Sequence, residues 1–291
     1  MISRRTGTQY RAGAAVDLGL SPVILGAAAV LSATVWVKDY PSVILGAAAT
    51  SVDTTVVKDS PSVILGAAAV VAPSQVQGLN ASLGQAFWYD AAQGTTINVG
   101  VQHWADLSGN GHTLNAVGDS TTEPALNATA GPDGGPCLVG DGINDGIARG
   151  FVLAQPAHVW LVAKFDAVSS GTTIMDGATT VNHGRVRSEV DGVYFTAGAQ
   201  VGPLAGTQTV WRIYEMQWNN ASFKARVGSG TYLTGTIGTN DLGGITLFQD
   251  GKDTGEAPAA GKIAGLIGFS SIQSTDMIAN ILSALQSRFN L

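Results

Sequence analysis

The stretch "HVWLVAKF" at residues 158–165 is apolar on both parities, with Val159, Leu161 and Ala163 on one and Trp160 and Val162 on the other. A strand wet on one face alternates apolar with polar, and a helix normally needs ten or more residues. A short continuous apolar run therefore reads as a central strand covered on both sides. Such a strand needs partners, and the flanking sequence supplies them. "FWYD" (87–90), "TTINV" (95–99), "GVYFTAG" (192–198), "TVWRIYEMQW" (209–218), "SFKARVG" (222–228) and "GITLFQDG" (244–251) are short β-rich runs separated by Gly, Asn and Asp turns. Many short strands at such spacing predict a sandwich. "SFKARVG" alternates, so one of its faces should be wet. Ile278, Ile281, Leu282, Leu285 and Phe289 recur at helical spacing after "STD" at 274–276, which predicts one closing helix packed across an end of the sandwich.

The first eighty residues follow another rule. "PSVILGAAA" at 41–49 returns at 61–69 and, as "SPVILGAAA", at 21–29, while "VKD" at 37–39 returns at 57–59. The period is twenty residues, too short for a unit to bury an apolar face alone, so the repeats must stack on each other or on a partner. Prolines and the repeated Gly oppose helix, and β-branched segments such as "TTVVKD" suit strands. Two readings follow: a three-turn stack with its own small core, or three equivalent docking sets, Val23, Ile24, Leu25, then Val43, Ile44, Leu45, then Val63, Ile64, Leu65. Extended, twenty residues reach roughly 66–72 Å, enough for neighbouring subunits of a lattice. Equally, further copies of the chain could braid their repeats. "APSQVQGL" at 72–79 reads as a linker, which divides the chain into an N-terminal arm (1–80) and a β-sandwich (81–291).

Composition narrows the function classes. The chain has 291 residues, 38 glycines, 12% charged residues and a formal net charge of −6. Charge is sparse beside the ordinary quarter, which suits a surface facing other protein. No Lys/Arg cluster exceeds Arg4 and Arg5, so neither nucleic acid nor an anionic membrane is expected as a partner. Cys137 is the one cysteine; it excludes an intrachain disulfide and a Cys-based zinc site, and reads as a small buried residue. "MISRR" before an apolar run imitates a signal peptide, yet the same phrase recurs twice further in. The longest apolar run, Val23 to Val37, is interrupted by Ser32 and Thr34 and falls short of a spanning helix.

"FWYDAAQGTTINVGVQHWADLSGNGHTLN", then "GGPCLVGDGINDGI", then "FVLAQPAHVWLVAKF" resembles the opening half of the concanavalin A-like lectin/glucanase superfamily. The likeness is to the laminin-G-like domains of bacterial and phage structural proteins. Trp104, Asp106, Ser108, Gly109, Asn110, Gly111, Pro124, Asp141, Gly142 and Asp145 stand at the places of that pattern. The resemblance covers about residues 82–291 and implies an all-β, antiparallel jelly-roll sandwich with a short C-terminal helix. Gly140 stands where the family usually has Phe, which implies thinner packing beside that turn. In the closing strand, Gly265 follows Ile-Ala where the family often has Glu.

No catalytic constellation is complete in the sequence. Glucanases of this superfamily carry Glu-x-Asp-x-Glu on one strand, so that alternation points all three acids into one cleft. "SEVDGVYF" starts so with Glu189 and Asp191, but Val193 and Tyr194 stand where the third acid should be. The retaining mechanism needs two carboxyls about 5 Å apart, so no catalytic residue is assigned and these two acids read as a solvent-facing turn. "DLSGNG" at 106–111 imitates the start of a calcium loop, but Val117 occupies the twelfth position, where an EF-hand has Glu. A turn built on Asx-type bonds is preferred, with calcium the lesser reading and no other cofactor or metal expected. His103, His112, His158 and His183 lack metal-ligand spacing. Trp160, Trp211 and Trp218 read as core, so no sugar platform is localised among the aromatics.

The expectation is a non-enzymatic bacteriophage virion surface protein, of capsid-decoration or head-fibre type. Its repeats would bind the major capsid protein or another virion protein, or further copies of the chain as a homo-oligomer, and would display a lectin-like sandwich. A location on the virion surface, reached without signal peptide or transmembrane segment, goes with that reading. The alternative is a carbohydrate-binding adhesin or tail-associated host-recognition module whose ligand is a cell-surface glycan.

Overall fold

The computed structural model describes residues 84–179, 183–251 and 258–291 in full and, before residue 84, the backbone of six short strands. By contacts the chain divides into two compact units, Met1–Gln77 and Gly78–Leu291.

In the first unit the repeated phrases pair with one another. Strands Val23–Leu25, Val43–Leu45 and Val63–Leu65 lie parallel and in register, Val23 opposite Val43 and Val43 opposite Val63. Arg4–Arg5 pairs beside Ile24 and Leu25, and a second parallel pair joins Val30–Leu31 to Thr50–Ser51. Parallel neighbours need a crossover of a dozen or more residues, and segments 26–42 and 46–62 provide it. One period of the sequence is thus one step across a sheet. The docking role assigned to the nine Val, Ile and Leu side chains lies outside the described residues.

The second unit is a sandwich of two antiparallel sheets. One has nine strands, in spatial order Gln200–Leu204, Gly192–Thr196, Arg185–Glu189, Thr172–Asp176, Gly244–Leu247, Ile147–Gly150, Leu114–Ala116, Val101–Trp104 and Thr95–Ile97. The other runs Ala125–Asn127, Cys137–Asp141, Ala260–Phe269, Ala157–Phe165, Arg212–Trp218, Phe223–Val227 and Leu233–Gly235. Phe87–Asp90 is its eighth member: Ala260–Phe269 meets Ala157–Phe165 along one side, while Cys137–Asp141 and Phe87–Asp90 share the other end to end. Ala157–Phe165 is central, as its apolar run requires, and Cys137 is fully buried.

Alternation sorts the side chains. Val159, Leu161, Ala163 and Phe165 face the inter-sheet core with Tyr214, Met216, Trp218, Phe195 and Ile245, each Leu, Ile or Phe contributing about 1.5–3 kcal/mol by burial. Trp160 and Ile213 on the opposite parity are buried as well, together with Ile267 and Phe269. Their cover is the helix Thr275–Phe289, capped by Ser274, which accepts from the Met277 N–H, and burying Ile278, Ile281, Leu282, Leu285 and Phe289. The helix therefore lies on the outer face of the eight-stranded sheet and not across an end of the sandwich. Its Phe289 ring sits over Gly265, where an added Cβ would stand 2.8 Å from it. That close approach accounts for glycine at a position where the resembling family often carries Glu. In "SFKARVG" Phe223 and Ala225 are buried and Lys224 is exposed, as alternation predicts.

Candidate functional site

Cross-strand register aligns one row of residues across all nine strands of the larger sheet, on the face away from the core. From Thr96 it passes to His103, Asn115, Ala148, Thr246 and Asp176. It continues from Asp176 through Arg185 to Thr196 and Gln200. Eight of the nine are polar, because each lies on the parity opposite to an apolar core residue of its strand. His103 Nδ1 lies 2.8 Å from Asn115 Oδ1, so two neighbours of the row are already oriented toward each other.

The middle of the row is shut off from solvent, with Thr246 buried beside Asp176. Asp176 is fully buried although it sits on the outer face. Its Oδ1 accepts from the Gly177 (2.7 Å) and Gly184 (3.2 Å) N–H groups. Oδ2 receives Gly251 N–H (3.1 Å), Arg185 Nε (3.2 Å) and His183 Nδ1 (3.3 Å). Arg185 also reaches Asp250 at 3.4 Å. Five donors on one buried carboxylate hold two loops and one strand together, as a buried charge requires. On the Thr96 side of this hub, His103, Asn115 and Ala148 remain partly exposed, so a ligand could reach that half of the face.

A second polar cluster lies on the outer face of the smaller sheet, beneath the helix. Glu215 Oε1 accepts from Tyr232 (2.6 Å), Gln217 (3.0 Å) and His158 Nε2 (3.1 Å), and Oε2 from Arg226 Nε (2.7 Å). Burial pushes this carboxyl up, but the bonds from His158, Tyr232, Gln217 and Arg226 outweigh it and hold the group at about 2. His158 Nδ1 accepts from the Gln273 N–H (3.2 Å), which leaves Nε2 to carry the proton of a neutral ring. Burial pulls its pKa below the ordinary value.

The turn residues Trp104, Asp106, Ser108 and Asn110 come together at the opening strand. Trp104 is fully buried, with its Nε1–H on the Asp90 carbonyl at 3.0 Å. Asp106 accepts the N–H groups of Ser108 (2.9 Å), Trp88 (3.0 Å) and His112 (3.1 Å). Asn110 Nδ2 donates to the Gln85 and Ala86 carbonyls. The Ser108 N–H on Asp106 closes an Asx turn, and with the Trp88 and His112 N–H groups it makes three donors aimed at one carboxylate, the opposite polarity to a cation cage. Asp141 and Asp145 form a separate turn: Asp141 Oδ1 accepts from Ile143 (2.7 Å), and Asp145 Oδ2 from the Asp141 N–H (2.8 Å). Burial pushes Asp145 up to about 6.

Asp191 lies exposed in a hairpin turn, as expected, but Glu189 ends the strand Arg185–Glu189 with its side chain only 16% exposed. Glu189 is bonded by Arg187 (2.6 Å) and Ser170 (2.5 Å), and Asp191 by the Tyr194 hydroxyl (3.0 Å). Trp160 and Trp218 are core, but Trp211 is only partly buried, with Lys164 over its ring at 5.9 Å. It precedes its strand and so escapes the sheet. Sequence reasoning missed Asp176 and Glu215. A lone acid closing "TTIMD" before Gly177, and a lone acid on the Ile213 parity of "RIYEMQW", were the available signals.

No family model and no curated protein matches the chain. Among solved structures, the second unit's two-sheet antiparallel sandwich resembles several proteins at low identity. A mutant of Trypanosoma rangeli sialidase displaying trans-sialidase activity aligns at TM-score 0.47 and 10% identity, over 77% of this chain and 35% of that one. Domain 4 of AbnA, a GH43 extracellular arabinanase from Geobacillus stearothermophilus, in complex with arabinotriose, aligns at 0.47 and 18%, over 67% and 98%. The cellulose-induced protein Cip1 aligns at 0.39 and 12%, over 51% and 85%. The chain thus spans about a third of the sialidase's length. These likenesses concern the fold.

Proposed function

We propose that the protein is a non-enzymatic bacteriophage virion surface protein, of capsid-decoration or head-fibre kind, whose N-terminal repeats join the particle and whose laminin-G-like sandwich is displayed. The observation that carries this reading is the in-register pairing of Val23–Leu25, Val43–Leu45 and Val63–Leu65. Paired strands stand about 4.8 Å apart, so the three phrases act together as one anchor on one partner site, not on three subunits spaced along a lattice. Three-residue strands bury little by themselves, which favours completion by the major capsid protein, another virion protein or further copies of the chain. The bonding of Glu189 and Asp191 within a hairpin accords with a head that does no chemistry. Deleting residues 1–77 tests the assignment: the remaining sandwich should stay folded by circular dichroism but no longer sediment with particles that capture the full chain. Capture of the truncated sandwich at full strength would overturn it.

A second reading, glycan recognition by the sandwich, is favoured by the polar row on the open face. The full chain applied to a glycan array should then give signals that fall on His103→Ala or Asn115→Ala. Signals indifferent to both substitutions would remove that face from consideration.

A further inference from the structure

We infer that a cleft between the two sheets, at the edge strand Gln200–Leu204, is a binding site for a short-chain hydroxycarboxylate. Two cross-strand pairs bound it, one from each sheet: Val193 opposite Leu204, and Tyr214 opposite Val227. Gln208 and Arg212 complete the lining, and the exposed Ala205, Gly206 and Thr207 form its mouth. Its volume is about 90 Å³. One water needs about 10–15 Å³ on that scale, so the cleft has room for several waters or for a molecule of about six non-hydrogen atoms.

The chemistry of the lining is divided. Val193, Leu204 and Val227 offer no hydrogen bond, so that side favours an alkyl group over water. The same lining carries three polar groups, one each on Gln208, Tyr214 and Arg212, that have no partner among the described residues. Gln208 is 3% exposed and donates through Nε2 to the Glu189 carbonyl at 2.7 Å. That bond fixes the orientation of the amide and leaves Oε1 buried and unpartnered. An acceptor so placed calls for a donor, because leaving it bare costs about 1–3 kcal/mol. The Tyr214 phenol has no hydrogen-bond partner among the described residues; burial pushes its pKa up against the nearby Arg212 guanidinium, so it stays protonated and can donate. Arg212 spends Nε on the Thr207 carbonyl (3.3 Å) and keeps its terminal nitrogens.

A ligand matching this set presents a carboxylate to Arg212 and Tyr214, a hydroxyl donating to Gln208 Oε1, and a methyl or methylene to the three aliphatic residues. L-lactate has these three groups on six non-hydrogen atoms. The inference is independent of how the N-terminal unit is anchored.

The test is a titration of the isotope-labelled full chain with sodium L-lactate, followed by amide resonances. Saturable shifts are expected at the Gln208 side-chain amide and at Ala205–Gln208. Propionate, which lacks the hydroxyl, propane-1,2-diol, which lacks the carboxylate, and lactate with the Tyr214→Phe variant should each bind about tenfold more weakly. Leu204→Phe, which fills the cleft with an apolar side chain, should abolish the shifts while the remaining spectrum persists. The assignment is overturned if lactate gives no saturable shift, if propionate and the diol match it, or if binding survives in Leu204→Phe. The first of these outcomes would mean that the cleft holds water.

Discussion

The ring of Phe248 lies directly against the Cα of Gly140: a Cβ built at position 140 would stand 2.4 Å from Phe248 Cδ1. Phe248 is fully buried and holds a φ of 68°, a conformation that costs an ordinary side chain energy. Gly140 therefore does not thin the packing beside the Asp141–Asp145 turn, as its departure from the family pattern suggested. An aromatic ring from the neighbouring sheet strand's end fills the place instead. Gly140→Ala should destabilise the sandwich by about 1–3 kcal/mol through overpacking. Gly150→Ala, on the facing nine-stranded sheet, where an added Cβ would meet only the Gly243 carbonyl at 4.0 Å, should stay within about 0.5 kcal/mol. Urea unfolding midpoints of the two variants check the contrast.

One arginine fastens the C-terminal helix to two carboxylates. Arg288 donates from Nε (2.9 Å) and a terminal nitrogen (3.0 Å) to the two oxygens of Asp90, and its other terminal nitrogen reaches Asp133 at 2.8 Å. Asp90 is 1% exposed. Removing the guanidinium leaves a buried carboxylate unpaired, so Arg288→Ala should cost about 3–5 kcal/mol. Arg288→Lys should recover only part of it, since an ammonium cannot reproduce the two-pronged geometry. Thermal melts of both variants, with helix undocking read from tryptophan fluorescence, supply the measurement.

How much of this was legible in the sequence depends on where each determinant lies. "HVWLVAKF" announced a central strand because its burial on both sides is written in consecutive residues. The helix was equally plain, since Ser274 and the Ile278–Phe289 spacing are local. Its docking face was not, because nothing near residue 280 records that Gly265 offers a seat for Phe289. The nine-strand row was hidden for the same reason. Register between Asn115 and Ala148, or between Thr246 and Asp176, is a property of pairs distant in the chain. Glu215 looked like one more polar residue until the strands bearing His158 and Arg226 were placed on either side of it.

That pairing makes acid lability of the sandwich an expected outcome. Glu215 is held down to about 2 against an ordinary 4.5, so its contribution is complete above pH 4.5 and is lost as pH falls toward 2. His158 is neutral in the fold, while in the unfolded chain it takes a proton near 6.5. Its contribution is therefore complete above pH 6.5 and declines below that, by at most about 1.4 kcal/mol per pH unit. The two groups act in the same direction. Asp145, raised to about 6 by burial, opposes them by favouring the folded state as pH falls from about 6 to 4. Removing the titrating ring with His158→Gln should flatten the slope of stability between pH 6.5 and 4.5, whatever it does to the level at pH 7. Melting temperatures across that range for both proteins would decide it, and parallel slopes would dismiss His158 as the sensor.

Asp176 offers a different kind of test, because its carboxylate gathers backbone donors from separate segments. Each of its oxygens accepts from at least two donors. Asp176→Asn keeps the shape but turns one oxygen into an NH₂ group that faces donors, and it leaves Arg185 without its closest charge. The expected loss is at least about 2 kcal/mol, the worth of a hydrogen bond to a charged group with its partner left bare. The loss should also be local before it is global. Amide hydrogen exchange should accelerate at Gly177, Gly184 and Gly251, the three backbone donors, while the central strand Ala157–Phe165 keeps its protection. If exchange rose uniformly through both sheets, Asp176 would be a general prop of the sandwich. If it rose only at those glycines, the carboxylate is what ties Gly177, Gly184 and Gly251 together beside the polar row.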